Sequence, residues 1–562
     1  MRRFSTAPRI LLPAVAIGFA AFWSVIELTE PPGPSLDPDA LSYLGAGLSL
    51  AHAHGLRVPS AGWASDDTTA ALVHFPPGFP AAIALGIVAG ATPPNAARFV
   101  EAVAAAVTAV SLVFAAYAAG GAVATLAVLG IAAATPAFVM VHAGVLSEPL
   151  FLALLALFTW RLASAGDGND TRRTIALGTI AAAAALVRYA GASLVLALAA
   201  DAWWTVSGPL RATWRQRARR TVVSVEVPVV LLGIWVLTRP RHEDAEKIRE
   251  VGLYTAGLGE TLRGALITAA RWLGPGVNSD AARAAAAIAV FAALCALVAR
   301  SVRATRRGTV AEPESRLNRA TTIVALSYVL VVGASRLVAD PGIPLDDRIL
   351  SPLLLVLALR IGVALGAFWR GSFGTRRGLV LLTIGITASW IWGSAEVSAG
   401  LVSDFRSDGG DLAAHQWTAS PLVVWAAHAS PSTRLYSNWP AAIWFSTSRA
   451  SFELPSDLDA NTVQEFREKI EREHGALLAF NARAEDYASP DSLAALAGLV
   501  AAERWPDGTV WRAPADAPAA PATRALPPAR SAPNAPAAHP VPKAPKSAPA
   551  GATPPSAARL HP

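Results

Sequence analysis

Long apolar runs alternate with short basic connectors along most of the chain. A bilayer core takes about 20 apolar residues per helix. On that measure the pattern predicts eleven membrane-spanning helices, at 10–28, 97–118, 121–141, 146–163, 173–187, 190–207, 221–238, 281–300, 321–338, 347–369 and 378–397. The connectors set the orientation. Arg2, Arg3 and Arg9 precede the first span, and arginines recur at Arg172–Arg173, at 211–220 (RATWRQRARR), at 300–307 (RSVRATRR) and at 370–377 (RGSFGTRR). Cytoplasmic loops carry the excess of Lys and Arg, so the N-terminus and all four connectors are expected inside. Parity then puts 29–96, 239–280, 339–346 and everything after 397 outside. Under that count the apolar piece 76–94 cannot span. It is bracketed by proline pairs and is expected as a juxtamembrane or re-entrant helix on the outer face.

Beyond 397 the pattern changes. Charged, amphipathic stretches are interleaved with short apolar runs, which predicts a small extracytoplasmic α/β domain over 401–512. Its exposed helix is expected at 461–475 (NTVQEFREKIEREHG), leading into a buried strand at 476–482; further strands are expected at 434–440 and 508–512. From 513 to 562 the chain is Pro/Ala-rich and low in complexity. Such a composition buries no core and is expected to be disordered. The domain plan is therefore a transmembrane region over 1–400 with a long first outer loop at 29–96, then the α/β domain, then the tail.

Composition agrees with this plan. The 562 residues are 53% hydrophobic and 15% charged, with a mean hydropathy of +0.41, against about 25% charged residues in soluble domains. The fold class expected is an all-α polytopic membrane protein of about eleven transmembrane helices, set in the inner (plasma) membrane. The net charge of +7 does not point to nucleic acid, because the arginines sit in the connectors. Cys295 is the sole cysteine and lies inside an apolar run, which excludes a disulfide framework or a cysteine metal site. The N-terminal segment resembles a signal peptide, but its apolar stretch exceeds the usual 7–15 residues, so an uncleaved first span is expected.

The first outer loop carries the candidate chemistry. Asp37-Pro38-Asp39 is a strong helix start: Asp37 can cap, Pro38 suits the first helical position, and Asp39 favours the positive end of the dipole. Capping and a reacting role are both open for this pair. Arg188, Arg336 and Arg348 all fall at the outer ends of spans. Each alone reads as a snorkelling side chain; three on one leaflet favour a lipid phosphate, which a guanidinium meets with a planar fork. Glu148 opens another span on the same side.

The ordered set DPDALSYLGAGLSL, HFPPGFP, SEPLF, VRYAG and DDRILSP resembles the bacterial GT-C membrane glycosyltransferases. That superfamily includes the protein O-mannosyltransferases and lipid A aminoarabinose transferases, and the resemblance is nearest to its RgtA/B/C/D-like branch. It covers roughly residues 10–370, with a weaker echo in LYSNWPAAIWFSTSR (435–449). The resemblance implies a polyprenyl-phosphate sugar donor, an envelope glycan, lipid or protein acceptor, and a catalytic aspartate in the first outer loop. Transposed onto this chain, that aspartate is Asp39, four residues before Tyr43, with Asp37 a close second. Tyr43 and His74 fall at matching positions, and Glu148, Arg188, Arg336 and Arg348 complete the expected substrate-binding set.

Weaker signals accompany these. Asp66-Asp67 reads as a solvated turn, or as a divalent-cation site shared with Asp37 or Asp39, since carboxylates suit hard ions. His52 and His54, two residues apart, face different sides of a helix. Glu101, inside a span, is placed to line a cavity or pair with Arg98. Trp203, Trp204 and Trp235 read as aromatic-belt anchors. No Gly-rich phosphate loop is present. Two other readings stay open: a secondary transporter, which calls for internal repeats and polar residues near the midplane, and a non-catalytic membrane scaffold whose α/β domain binds a partner.

Overall fold

The computed structural model describes residues 7–164, 171–204, 213–238, 252–273, 285, 312–339, 342–372, 377–482 and 488–514. The span expected at 281–300 and the tail from 515 onward lie outside the described residues. Among the described residues thirteen α-helices form or border the membrane part: α1 (Ala7–Leu28), α2 (Pro38–Ala51), α3 (Gly78–Val88), α4 (Pro93–Ala134), α5 (Pro136–Ala143), α6 (Glu148–Ser164), α7 (Thr171–Val187), α8 (Ala192–Trp204), α9 (Trp214–Thr238), α10 (Leu258–Leu273), α11 (Glu312–Val338), α12 (Asp347–Ser372) and α13 (Arg377–Asp408). Ten of the eleven expected spans are seen as helices. Five described helices reach spanning length and apolarity: 10–28 within α1, then α4, α9, α11 and 347–370 within α12. The 76–94 piece forms α3, 11 residues and too short to cross.

Helix α4 is a hairpin of two spans with no loop between them. Gly121 takes φ 72°, ψ −164° and reverses the chain, a conformation essentially confined to glycine. Below it the Arg370 guanidinium donates to Ala119 O. The rising limb then climbs α12 through small residues, with Gly366 against Gly120 and Gly362 against Val128, a contact that lets backbones approach closely. Chain breaks elsewhere are equally tight. Between α7 and α8 a side chain at Gly191 would strike the Ala184 backbone at 2.2 Å. The amphipathic α10 was not among the expected elements. It is tied to the start of α12 through Thr268 Oγ1 to Leu345 O and Trp272 Nε1 to Asp347 Oδ1.

The α/β domain follows α13, which continues to Asp408, past the expected boundary at 400. Its helices are α14 (Pro421–His428), α15 (Pro440–Thr447), α16 (Ala460–Arg472) and α17 (Pro490–Leu496). Ser420, Asp459 and Ser489 cap three of them through side-chain oxygens. The first loop holds β1 (Arg57–Val58), β2 (Ser60–Ala61) and β3 (Ala70–Ala71); the domain holds β4 (Leu435–Ser437), β5 (Ser451–Phe452), β6 (Ala476–Phe480), β7 (Val500–Trp505) and β8 (Gly508–Arg512). The expected strands at 434–440, 476–482 and 508–512 correspond to β4, β6 and β8, and the expected helix to α16.

The six-stranded sheet runs β2-β5-β4-β6-β8-β7, parallel from β2 to β6 and antiparallel thereafter. On β6, Leu477 faces α16 and α17, whereas Ala476, Leu478 and Phe480 face α14 and α15. Helices therefore cover both sides of the sheet, the arrangement a mostly parallel sheet requires. Strand β2 comes from the first loop. It pairs with β5 and is held further by Ser60 Oγ donating to Glu453 and by Lys469, which meets Asp66 at 3.1 Å.

Candidate active site

The site is built around the start of α2. Asp37 caps this helix by accepting from Ala40 N at 3.1 Å, Pro38 occupies its first turn and Asp39 follows. The two residues before the cap are fixed by backbone pairing on both sides. Ser35 exchanges hydrogen bonds with Ala143 O and Val145 N, and Leu36 does so with Gly410 O and Leu412 N. One short extended segment thus joins the aspartates to the α5–α6 junction and to the entry of the α/β domain.

Across from it, α12 begins at DDRILSP, and each residue of the first three has a separate task. Asp346 accepts from Ile349 N, Asp347 holds Trp272, and Arg348 faces the aspartates. All three nitrogens of Arg348 are engaged: Nη1 with Asp37 Oδ2 at 2.9 Å, Nη2 with Asp39 Oδ2 at 3.0 Å, and Nε with Glu148 Oε1 at 3.0 Å. Glu148 is 2% exposed and its other oxygen lies 2.7 Å from Arg188 Nη1. Arg188 also donates to Ser147 Oγ at 2.9 Å, and Ser147 Oγ lies 3.2 Å from Tyr43 OH. Tyr43 is buried, with Phe75 and Phe79 packed on its ring. The Pro76-Pro77-Gly78 turn presses on the end of α7 beside Arg188, where a side chain at Gly78 would meet Leu186 O at 2.7 Å.

Three carboxylates share two guanidiniums here, and the imbalance acts on Asp37. Burial first, then the adjacent Asp39, push Asp37 up to about 7 against the pull of Arg348. Burial likewise holds the Tyr43 hydroxyl above its usual range, so it stays a neutral donor. The two aspartates are not equivalent. Asp37 spends Oδ1 on the helix cap and Oδ2 on Arg348; Asp39 spends only Oδ2, and its side chain is 37% exposed.

The expected set therefore divides. Asp37, Asp39, Tyr43, Glu148, Arg188 and Arg348 form one connected cluster. Arg336 does not join it: Nε donates to Thr261 Oγ1 and Nη2 to Ala256 O, which ties α11 to the start of α10. His74 is exposed and precedes Phe75, whose ring packs on Tyr43. Asp66 meets Lys469 and Asp67 meets Arg57, away from Asp37 and Asp39. Among the described residues no group of three or more His, Cys, Asp or Glu is placed to hold a metal ion. Ser147, not among the expected site residues, belongs to the cluster; its signal is its place just before Glu148 in the SEPLF motif.

No protein-family model and no curated protein matches the chain. Solved structures do. The chain is similar to ArnT from Cupriavidus metallidurans bound to undecaprenyl phosphate, at 13% identity and a TM-score of 0.55, over 90% of this chain and 98% of that one. The apo form of ArnT aligns over the same shares at 14% identity and a TM-score of 0.55. The oligosaccharyltransferase of Archaeoglobus fulgidus, in complex with Zn and sulfate, aligns at 11% identity and a TM-score of 0.55, over 83% of this chain and 68% of that one. With its membrane bundle, its long first loop and its terminal α/β domain, the chain has the fold of ArnT and of the archaeal oligosaccharyltransferase.

Proposed function

We propose that this protein is a membrane glycosyltransferase that moves a sugar from a polyprenyl-phosphate donor to an acceptor on the extracytoplasmic side, with Asp39 as general base. The observation that carries the reading is the closed cluster of Arg348 on Asp37, Asp39 and Glu148, backed by Arg188. In it Asp39 keeps one oxygen unengaged beside the Arg348 guanidinium, with Arg188 joined to the same cluster through Glu148. In the reaction, Asp39 takes the proton of an acceptor hydroxyl, whose oxygen bonds to the anomeric carbon. The bond from that carbon to the phosphate oxygen breaks, and its electron pair leaves with the polyprenyl phosphate. The transition state has oxocarbenium character, which nearby carboxylates favour, and the departing phosphate gains negative charge, which Arg348 and Arg188 offset. An incoming phosphate competes with Asp37 and Asp39 for the Arg348 fork. The binding of undecaprenyl phosphate by ArnT supports the donor class.

The positions of the charges favour an enzyme over a transporter, because the aspartates and both arginines gather at the end of the bundle that carries the α/β domain. A positioned general base contributes about 10²–10⁴-fold. Asp39→Asn is therefore expected to lower sugar transfer by at least about 10²-fold in membranes with an unchanged amount of protein. Full transfer by that variant would refute the assignment. Comparing envelope glycans and lipids by mass spectrometry, with and without the intact protein, identifies the sugar and acceptor together.

A further inference from the structure

Glu101 lies within the falling limb of α4 and is fully buried. It neither pairs with Arg98 nor reaches the arginine cluster. Arg98 is turned to Thr29 Oγ1, Ile26 O and Asn95. Instead Glu101 Oε1 accepts from Leu146 N at 3.0 Å, while Oε2 makes no hydrogen bond. Leu146 belongs to the irregular stretch between α5 and α6, where the backbone N–H has no helical acceptor. Buried backbone donors are almost always satisfied, and here the partner is a side chain 45 residues upstream. The next residue is Ser147, which meets Tyr43 and Arg188; the one after is Glu148, which holds Arg188 and Arg348.

We infer that Glu101 is a positioning residue. By holding the Leu146 amide it sets where Ser147 and Glu148 stand, and through them where both guanidiniums point. What the site needs from Glu101 is an acceptor oxygen at that reach, which a neutral side chain supplies as well as a carboxyl. This use of the guanidiniums rests on the glycosyltransferase reading; the fixing of the 144–147 backbone does not.

Two variants separate reach from the carboxyl group itself. Glu101→Gln keeps the acceptor oxygen in place and exchanges the carboxyl for an amide; Glu101→Asp keeps the carboxyl and withdraws the oxygen by one carbon. Backbone hydrogen exchange over 144–147, measured on the full-length protein in detergent, is expected to match wild type in Glu101→Gln and to rise at least about tenfold in Glu101→Asp. The apparent affinity for undecaprenyl phosphate should follow the same order, near wild type for Gln and weakened several-fold for Asp. A displacement of about 1 Å at a reacting site can cost 10²-fold, so the transfer rate of Glu101→Asp is expected to fall on that scale while Glu101→Gln stays within a few-fold. The reverse order, or exchange unchanged in Glu101→Asp, overturns the inference. If wild type binds no polyprenyl phosphate and transfers no sugar, the functional reading fails, and the exchange data still decide the role of Glu101.

Discussion

Asp37 and Asp39 stand two residues apart on one helix turn, yet the structure gives them different work. Asp37 caps α2 near the start of the first loop and is the more buried member of the pair; its ordinary ionisation near 3.8 is pushed up to about 7. The sign of the consequence follows directly. Between those two pH values the folded protein keeps a proton that the unfolded chain releases, so this group's contribution to stability is complete below about pH 4 and is lost as pH rises through about 7. The same ionisation adds a negative charge where a donor phosphate must approach Arg348. Binding of undecaprenyl phosphate is expected to weaken as pH rises from 6 to 8, and Asp37→Asn should flatten that dependence; titrating both proteins with the lipid at the two pH values checks it. The cap itself was legible in the sequence, because Asp-Pro-Asp is a local signal. The three-way closure of Arg348 was not. Its partners lie 311, 309 and 200 residues away, and the pattern of spans puts Arg348 and Arg336 alike at outer helix ends. Only packing separates the arginine that meets acids from the one that ties α10 to α11.

At the scale of elements, the paired glycines Gly120-Gly121 show what periodicity can and cannot say. The break between the expected spans 97–118 and 121–141 falls at the observed reversal, because an apolar run of that length exceeds one bilayer crossing and has to be divided. That the turn needs no loop depends on the dihedrals of one residue. A side chain at Gly121 would meet only the tip of Arg370, at 3.8 Å, so Gly121→Ala is penalised by backbone strain and not by lack of room. A non-glycine residue in that region costs about 1–3 kcal/mol. The expected outcome is a lower thermal midpoint in detergent, with sugar transfer per folded molecule unchanged, since the reversal is far from Arg348. Helix α10 shows the opposite case. Its segment LGETLRGALITAARWL has an apolar stripe at helical spacing, but a reading built on continuous apolar runs passes over a helix that lies against the bundle.

For the whole molecule, the expected orientation makes the α/β domain and the arginine cluster extracytoplasmic, with every basic connector inside. Alkaline phosphatase, which folds only outside the cytoplasm, should be active when fused after residue 410 and inactive when fused at the connector around 171; the opposite result would invert the topology. The division into a membrane part and a terminal α/β domain was visible as a change of pattern near 400. The sharing of a sheet between them was not, because β2 is two residues long and a strand that short has no period to read. That shared strand also sets an order of assembly. Ser60 precedes Glu453, the side chain it bonds, by 393 residues. At about 5–20 residues per second the ribosome needs roughly 20–80 s to bridge that interval. For that time the aspartates are already inserted while the edge that anchors their loop is still unmade. A chain stalled before residue 451 carries every acid and arginine of the cluster and lacks the β2–β5 pairing that anchors their loop, so the last fifth of translation completes the setting of the cluster.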